Sequence, residues 1–133
     1  MLVKDYYNRL QQELVATGRA RMKCCCGEVR FRLLDSGRTL KLFSVVFSGG
    51  DYLPPAVRKA LSSSPPGLRG GGLAATAQVV NESDVYIVHQ RPSGPPTADL
   101  LERLAGEFCP VVAEWRRYLE DEGNKDLIPV SWR

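Results

Sequence analysis

The sequence predicts an α+β fold, an antiparallel sheet packed with helices in the order α-β-β-β-α-β-β-α. Two observations carry this. In Thr97 to Leu119, the residues Leu100, Leu101, Leu104, Phe108, Val111, Val112, Trp115, Tyr118 and Leu119 recur mostly at steps of three and four, the spacing of one helix face. In Ala20 to Phe47 and again in Leu73 to Gln90, apolar side chains instead recur at every second position, the period of a strand. A single amphipathic helix must bury its stripe against something, and the strands that precede it supply that surface.

Taken in order, Leu2 to Thr17 reads as the first helix, with Val3, Tyr6, Tyr7, Leu10, Leu14 and Val15 on one side and Gly18 as a left-handed cap. Ala20 to Cys25 is a short strand and Cys26-Gly27 a turn. Glu28 to Leu34 is a second strand in which Val29, Phe31 and Leu33 oppose Arg30 and Arg32. Asp35-Ser36-Gly37 turns the chain into Thr39 to Phe47, with Leu40, Leu42 and Val46 on one face and Phe43, Val45 and Phe47 on the other. A strand apolar on both faces is covered on both or offers one to another chain. Pro54-Pro55 opens a short helix through Leu61, with Val57 and Leu61 as its apolar side. So short a helix is marginal alone, and packing against another subunit would explain it.

Ser62 to Gly72 is a flexible connection, and Leu73 to Asn81 with Val85 to Gln90 forms a hairpin. Leu73, Ala75, Ala77 and Val79 share a face of mostly small side chains that permits close approach. Arg91 to Pro96 is an extended link to the long helix. Thr97 is its N-cap, Asp99 lies at the positive end of its dipole, and Arg116 and Arg117 lie towards the negative end. Pro110 lacks an N–H and its ring crowds the preceding turn, which predicts a bend or break near Gly106 to Pro110. Residues 1–122 are thus one domain, and 123–133 a C-terminal tail.

The chain has 133 residues and a net charge of +3, with an isoelectric point near 8.8. No apolar run approaches the roughly 18 to 20 residues of a membrane span, and Met1 to Asp5 contains no apolar signal core, so a cytoplasmic protein is expected. Its densest basic stretch, Arg19 to Lys23 with Arg30 and Arg32, matches no nucleic-acid-binding motif, and reads as solvated strand-edge charge. Gly70-Gly71-Gly72 lacks the Lys-Ser/Thr of a phosphate-binding loop and precedes a strand rather than a helix. Zinc through Cys24, Cys26, Cys109 and His89 lacks a structural spacing, so the cysteines read as small packed residues. With one histidine and no motif tying it to a nucleophile, no catalytic set, no metal site and no cofactor are expected.

The order of elements, together with Gly70-Gly71-Gly72 leading into Leu73 to Val80, Val85 to Gln90, Leu100 to Leu104, Phe108 and Ala113-Glu114-Trp115-Arg116, resembles the class I type III secretion chaperones, most closely their chlamydial members. The resemblance implies a non-catalytic, cytoplasmic bacterial protein that works as a dimer. Its implied task is to hold an extended N-terminal segment of a secreted effector or gatekeeper protein. It places substrate-protein binding at Tyr6, Leu10, Leu14, Val29, Phe31, Leu33, Leu42 and Val45. It places the dimer interface at Val57, Leu61, Leu73, Ala75, Ala77 and Val79. Family members are commonly acidic and this chain is basic, and its short helix and Gly/Pro-rich loops look poor for a large self-complementary interface. Both make sense if it pairs with a second, acidic chaperone subunit, the other option being pairing with itself. The alternative is a transcriptional regulator acting through protein contact with RNA polymerase or a regulatory factor. No direct nucleic-acid contact and no membrane insertion are expected.

Overall fold

The computed structural model describes residues 3–24, 27–62 and 73–124. Its elements run α1 (Val3–Thr17), β1 (Arg19–Cys24), β2 (Gly27–Leu34), a short 3-10 turn (Asp35–Gly37), β3 (Thr39–Ser48), α2 (Pro55–Ser62), β4 (Thr76–Val80), β5 (Asp84–Pro92) and α3 (Ala98–Asn124). The five strands form one antiparallel sheet in the order β1-β2-β3-β5-β4. The α+β class and the element order match those expected. The expected 62–72 connection, apart from Ser62, and the tail beyond Asn124 lie outside the described residues, as do Cys25 and Cys26.

All three helices lie on one face of the sheet. Ala20 and Met22 of β1, Val29 and Phe31 of β2, Leu40 and Leu42 of β3, and Val85 and Ile87 of β5 point to that side. They form one core with Leu10 and Leu14 of α1, Val57 and Ala60 of α2, and the α3 stripe from Leu101 to Leu119. Local signals end the helices where the sequence marks them. Gly18, at φ +79°, closes α1 and its N–H donates to the Leu14 carbonyl at 2.7 Å. Thr97 caps α3 by accepting the Leu100 N–H on its Oγ1 at 3.1 Å.

Four features differ from expectation. Of the bend or break expected near Pro110, the break does not occur: helix α3 is one element of 27 residues that passes through Pro110 and continues beyond Leu119 to Asn124. Gly106 and Pro110 are both exposed, so the carbonyl that Pro110 leaves without a donor lies on the wet side of the helix, where water serves it. Helix α2 buries Val57 and Ala60 rather than Val57 and Leu61. It packs within the chain: the Tyr118 hydroxyl donates to the Ala60 carbonyl at 3.2 Å, and Gly123 lies against Val57 and Phe47. Its survival therefore needs no second subunit.

The third difference is a β-bulge. Val45 pairs with Tyr86 and Phe47 with Val85, leaving Val46 as the extra residue. The bulge carries Phe47 to the helix side, where it packs against the core beside Val46, instead of onto the Phe43 and Val45 face. Fourth, β4 begins at Thr76 rather than Leu73, and the turn to β5 is Asn81 to Ser83, with Asn81 and Glu82 at φ +55° and +63°.

Candidate functional site

The eight residues assigned to substrate-protein binding divide into three groups. Leu10, Leu14, Val29, Phe31 and Leu42 are buried members of the core, so they fill the interior of this chain rather than its surface. Leu33 is half-buried against that core. Tyr6 is 38% exposed on α1, and Val45 is half-buried on the opposite, helix-free face, where it pairs with Tyr86. The structure therefore does not bring all eight to one surface. Of the six dimer-interface residues, Val57 is fully buried, Leu61, Leu73, Ala75 and Ala77 are half-buried against the core, and Val79 is 48% exposed.

What the structure does bring together is a margin. Strand β1 is hydrogen-bonded to β2 on one side only, so its other edge has no neighbouring strand among the described residues. Tyr6, Met22, Arg21, Lys23 and Glu28 line a shallow cavity of about 640 Å³ beside that edge. Tyr6 and Tyr7 meet edge to face with centroids 5.4 Å apart. The Tyr7 hydroxyl titrates above its ordinary 10.0, first because burial disfavours the phenolate, then because Cys109, Glu102 and Tyr6 lie near it. Met22 and Tyr7 were not among the residues assigned to binding. The alternation Ala20, Met22, Cys24 already placed Met22 on the same face as its neighbours, but which strand lies at the edge is not written in β1 itself.

A second unassigned residue is Arg116. Pairing of β2 with β3 ends at Arg30 and Phe43, and beyond that point side chains bridge the two strands to each other and to α3. Ser44 Oγ donates to the Glu28 carbonyl at 2.6 Å, and Arg116 Nη2 donates to the Val45 carbonyl at 2.6 Å. The Arg116 guanidinium also lies where a side chain on Gly27 would point. It is a structural clamp from α3 onto β3, at the residue before the bulge.

His89 sits in β5, between β3 and β4, rather than at a strand end or edge. It is 9% exposed, and its Nδ1 is 2.7 Å from the Ala74 carbonyl. A carbonyl only accepts, so Nδ1 carries the proton and the ring ties the approach to β4 onto β5. Its Nε2 is buried with no partner among the described residues. Among the described residues no group of three or more His, Cys, Asp and Glu is placed to hold a metal. No described helix is long and apolar enough to cross a membrane. No protein-family model and no curated protein matches this chain.

Proposed function

We propose that this chain is a non-catalytic binding protein that holds an extended segment of a partner polypeptide, in the manner of a class I type III secretion chaperone. The observation that carries the reading is the margin at β1. A strand edge without a neighbouring strand among the described residues, flanked by exposed Tyr6 and half-buried Tyr7, offers an extended chain both backbone hydrogen bonds and apolar contact. The element order α-β-β-β-α-β-β-α supports the same reading. So does the state of the lone imidazole: one nitrogen of His89 is spent on a carbonyl and the other is buried, so the ring is not offered to a substrate. The partner is a secreted effector or gatekeeper protein, the setting is the bacterial cytoplasm, and exposed Val79 with half-buried Leu61, Leu73, Ala75 and Ala77 offers a surface for a second chaperone subunit.

The test is isolation of the tagged chain from its native cells, with the intact mass of each complex and hydrogen exchange on the isolated complex. The expected result is one secreted protein bound through its N-terminal segment, with new protection at β1. Recovery of RNA polymerase subunits without a secreted protein makes regulation by protein contact the function instead. A secreted protein bound without any change at β1 refutes the site.

A further inference from the structure

Among the described residues one sheet face carries no helix, and it is cationic over three strands. Arg19, Arg21 and Lys23 alternate along β1, Arg30 and Arg32 along β2, and Lys41 stands on β3. The register sets these charges against one another: Arg19 is opposite Arg32, Arg32 is opposite Lys41, and Arg21 is opposite Arg30. Opposite charges directly across a strand pair stabilise a sheet, and like charges placed there work against folding. On these three strands Glu28 is the one carboxylate on this face. It bonds Arg30 at 2.9 Å and reaches Arg21 at 3.9 Å. The Arg21 and Arg30 side chains remain 74% and 51% exposed. An open depression of about 450 Å³ is lined by Arg19, Arg21, Arg30, Arg32 and Phe43 together with Glu13 and Thr17 of α1.

We propose that this face binds an extended acidic polypeptide segment whose carboxylates alternate along the chain. The spacing fits. Alternate residues of a strand stand about 6.8 Å apart, so Arg19, Arg21 and Lys23 share the pitch of alternate side chains in any extended peptide laid along them. A partner of this kind relieves the repulsion that the register builds in, and complementary charge speeds and orients its docking. Single-stranded nucleic acid also carries regular negative charge, but it gains much of its affinity from bases stacked on exposed rings. Phe43, the ring among these cations, is 8% exposed, and the half-buried ring of Tyr86 on β5 packs against it with centroids 6.2 Å apart. The Arg32 and Lys41 cations stand 5.5 and 5.0 Å from its centroid, so they occupy the surface a base would need. This inference stands on the charges of the helix-free face. Arg21 and Lys23 also line the cavity at the β1 margin, but the chaperone reading rests on the strand edge and the α1 tyrosines, which a test of charge leaves untouched.

The experiment is fluorescence anisotropy with a labelled peptide of alternating Glu and Thr. A Gln and Thr peptide of the same length and a thymidine 12-mer are the comparison probes. The acidic peptide is expected to bind, to weaken as salt rises, and to lose at least about tenfold in affinity in the Arg21→Glu, Arg32→Glu double variant. An Arg58→Glu, Arg117→Glu variant, with the same change of net charge on the helix layer, is expected to bind as the unaltered protein does. Urea unfolding of both variants guards against loss of binding through loss of fold. Failure of the acidic peptide to bind, equal binding of the Gln and Thr peptide, equal loss in the two double variants, or tighter binding of the oligonucleotide each overturns the proposal.

Discussion

Replacing Arg116 by Met measures what holds the end of the sheet to α3. The guanidinium donates from Nη2 to the Val45 carbonyl at 2.6 Å, next to the point where the bulge at Val46 breaks the regular ladder. A hydrogen bond from a charged donor contributes about 1.5–3 kcal/mol, and its loss leaves the Val45 carbonyl without that donor. Met fills a similar length of apolar stem, so the expected destabilisation is about 2 kcal/mol. With a urea slope of about 2 kcal/mol per molar, the unfolding midpoint falls by about 1 M. The neighbouring, exposed Arg117→Met is the control and stays within about 0.5 kcal/mol. Gly27 supplies an independent check. A Cβ there would sit 2.5 Å from Arg116 Nη2, and φ at Gly27 is +139°. Gly27→Ala must therefore displace the guanidinium that Val45 holds as well as strain the backbone. Only the displacement vanishes when Arg116 is already Met, so the double variant loses less than the two single losses added together, by at least about 0.5 kcal/mol. Strict additivity, or an Arg116→Met midpoint within 0.2 M or so of the unaltered protein, refutes the clamp.

Further outcomes follow from other parts of the molecule. Arg19→Glu turns the Arg19 and Arg32 cross-strand pair from like to opposite charge. It is expected to raise stability in low salt by about 0.5–1 kcal/mol, with the gain shrinking towards zero in 1 M salt; urea titrations at both salt levels check it. Gly106→Ala meets nothing within 4 Å on the exposed side of α3, so the helix preference for Ala should appear almost undiminished, as about 0.5–1 kcal/mol of added stability in thermal or urea unfolding. Tyr7 titrates above 10.0 in the fold. The folded state thus holds the phenolic proton more tightly than the unfolded chain, and the stability this brings is complete below pH 10 and is lost as pH rises through the folded value. Tyr7→Phe is expected to flatten the fall of stability above pH 10, and an unchanged alkaline profile would exclude Tyr7 as its source.

Much of the fold is legible because its signals are local. Gly18, Thr97 and the Asp35-Ser36-Gly37 turn act on backbone groups within a few residues of themselves, and each does in the structure what its chemistry predicts. Period two and period 3.6 are likewise properties of consecutive residues, so the strands, the helices and the buried stripe from Leu101 to Leu119 could be read before any contact was known. The binding margin was less legible. Tyr6 stands at the surface, yet Leu10, Leu14, Val29, Phe31 and Leu42 are drawn inside, because an apolar residue at the right period serves a core and a docking face equally well.

By itself, then, the sequence determined the kinds of element, their order and most of their ends. Only the tertiary structure decided what each element faces. It placed β5 between β3 and β4 and left β1 at an edge. It carried Phe47 across the sheet at the Val46 bulge and let α3 run through Pro110 by turning that residue to solvent. It also set Arg19 against Arg32 and Arg32 against Lys41. The physical reason is the range of the interactions: caps, turns and periodicity are settled between near neighbours along the chain. Strand order, register and the meeting of like charges depend on residues far apart in sequence, and exist only once the chain has folded.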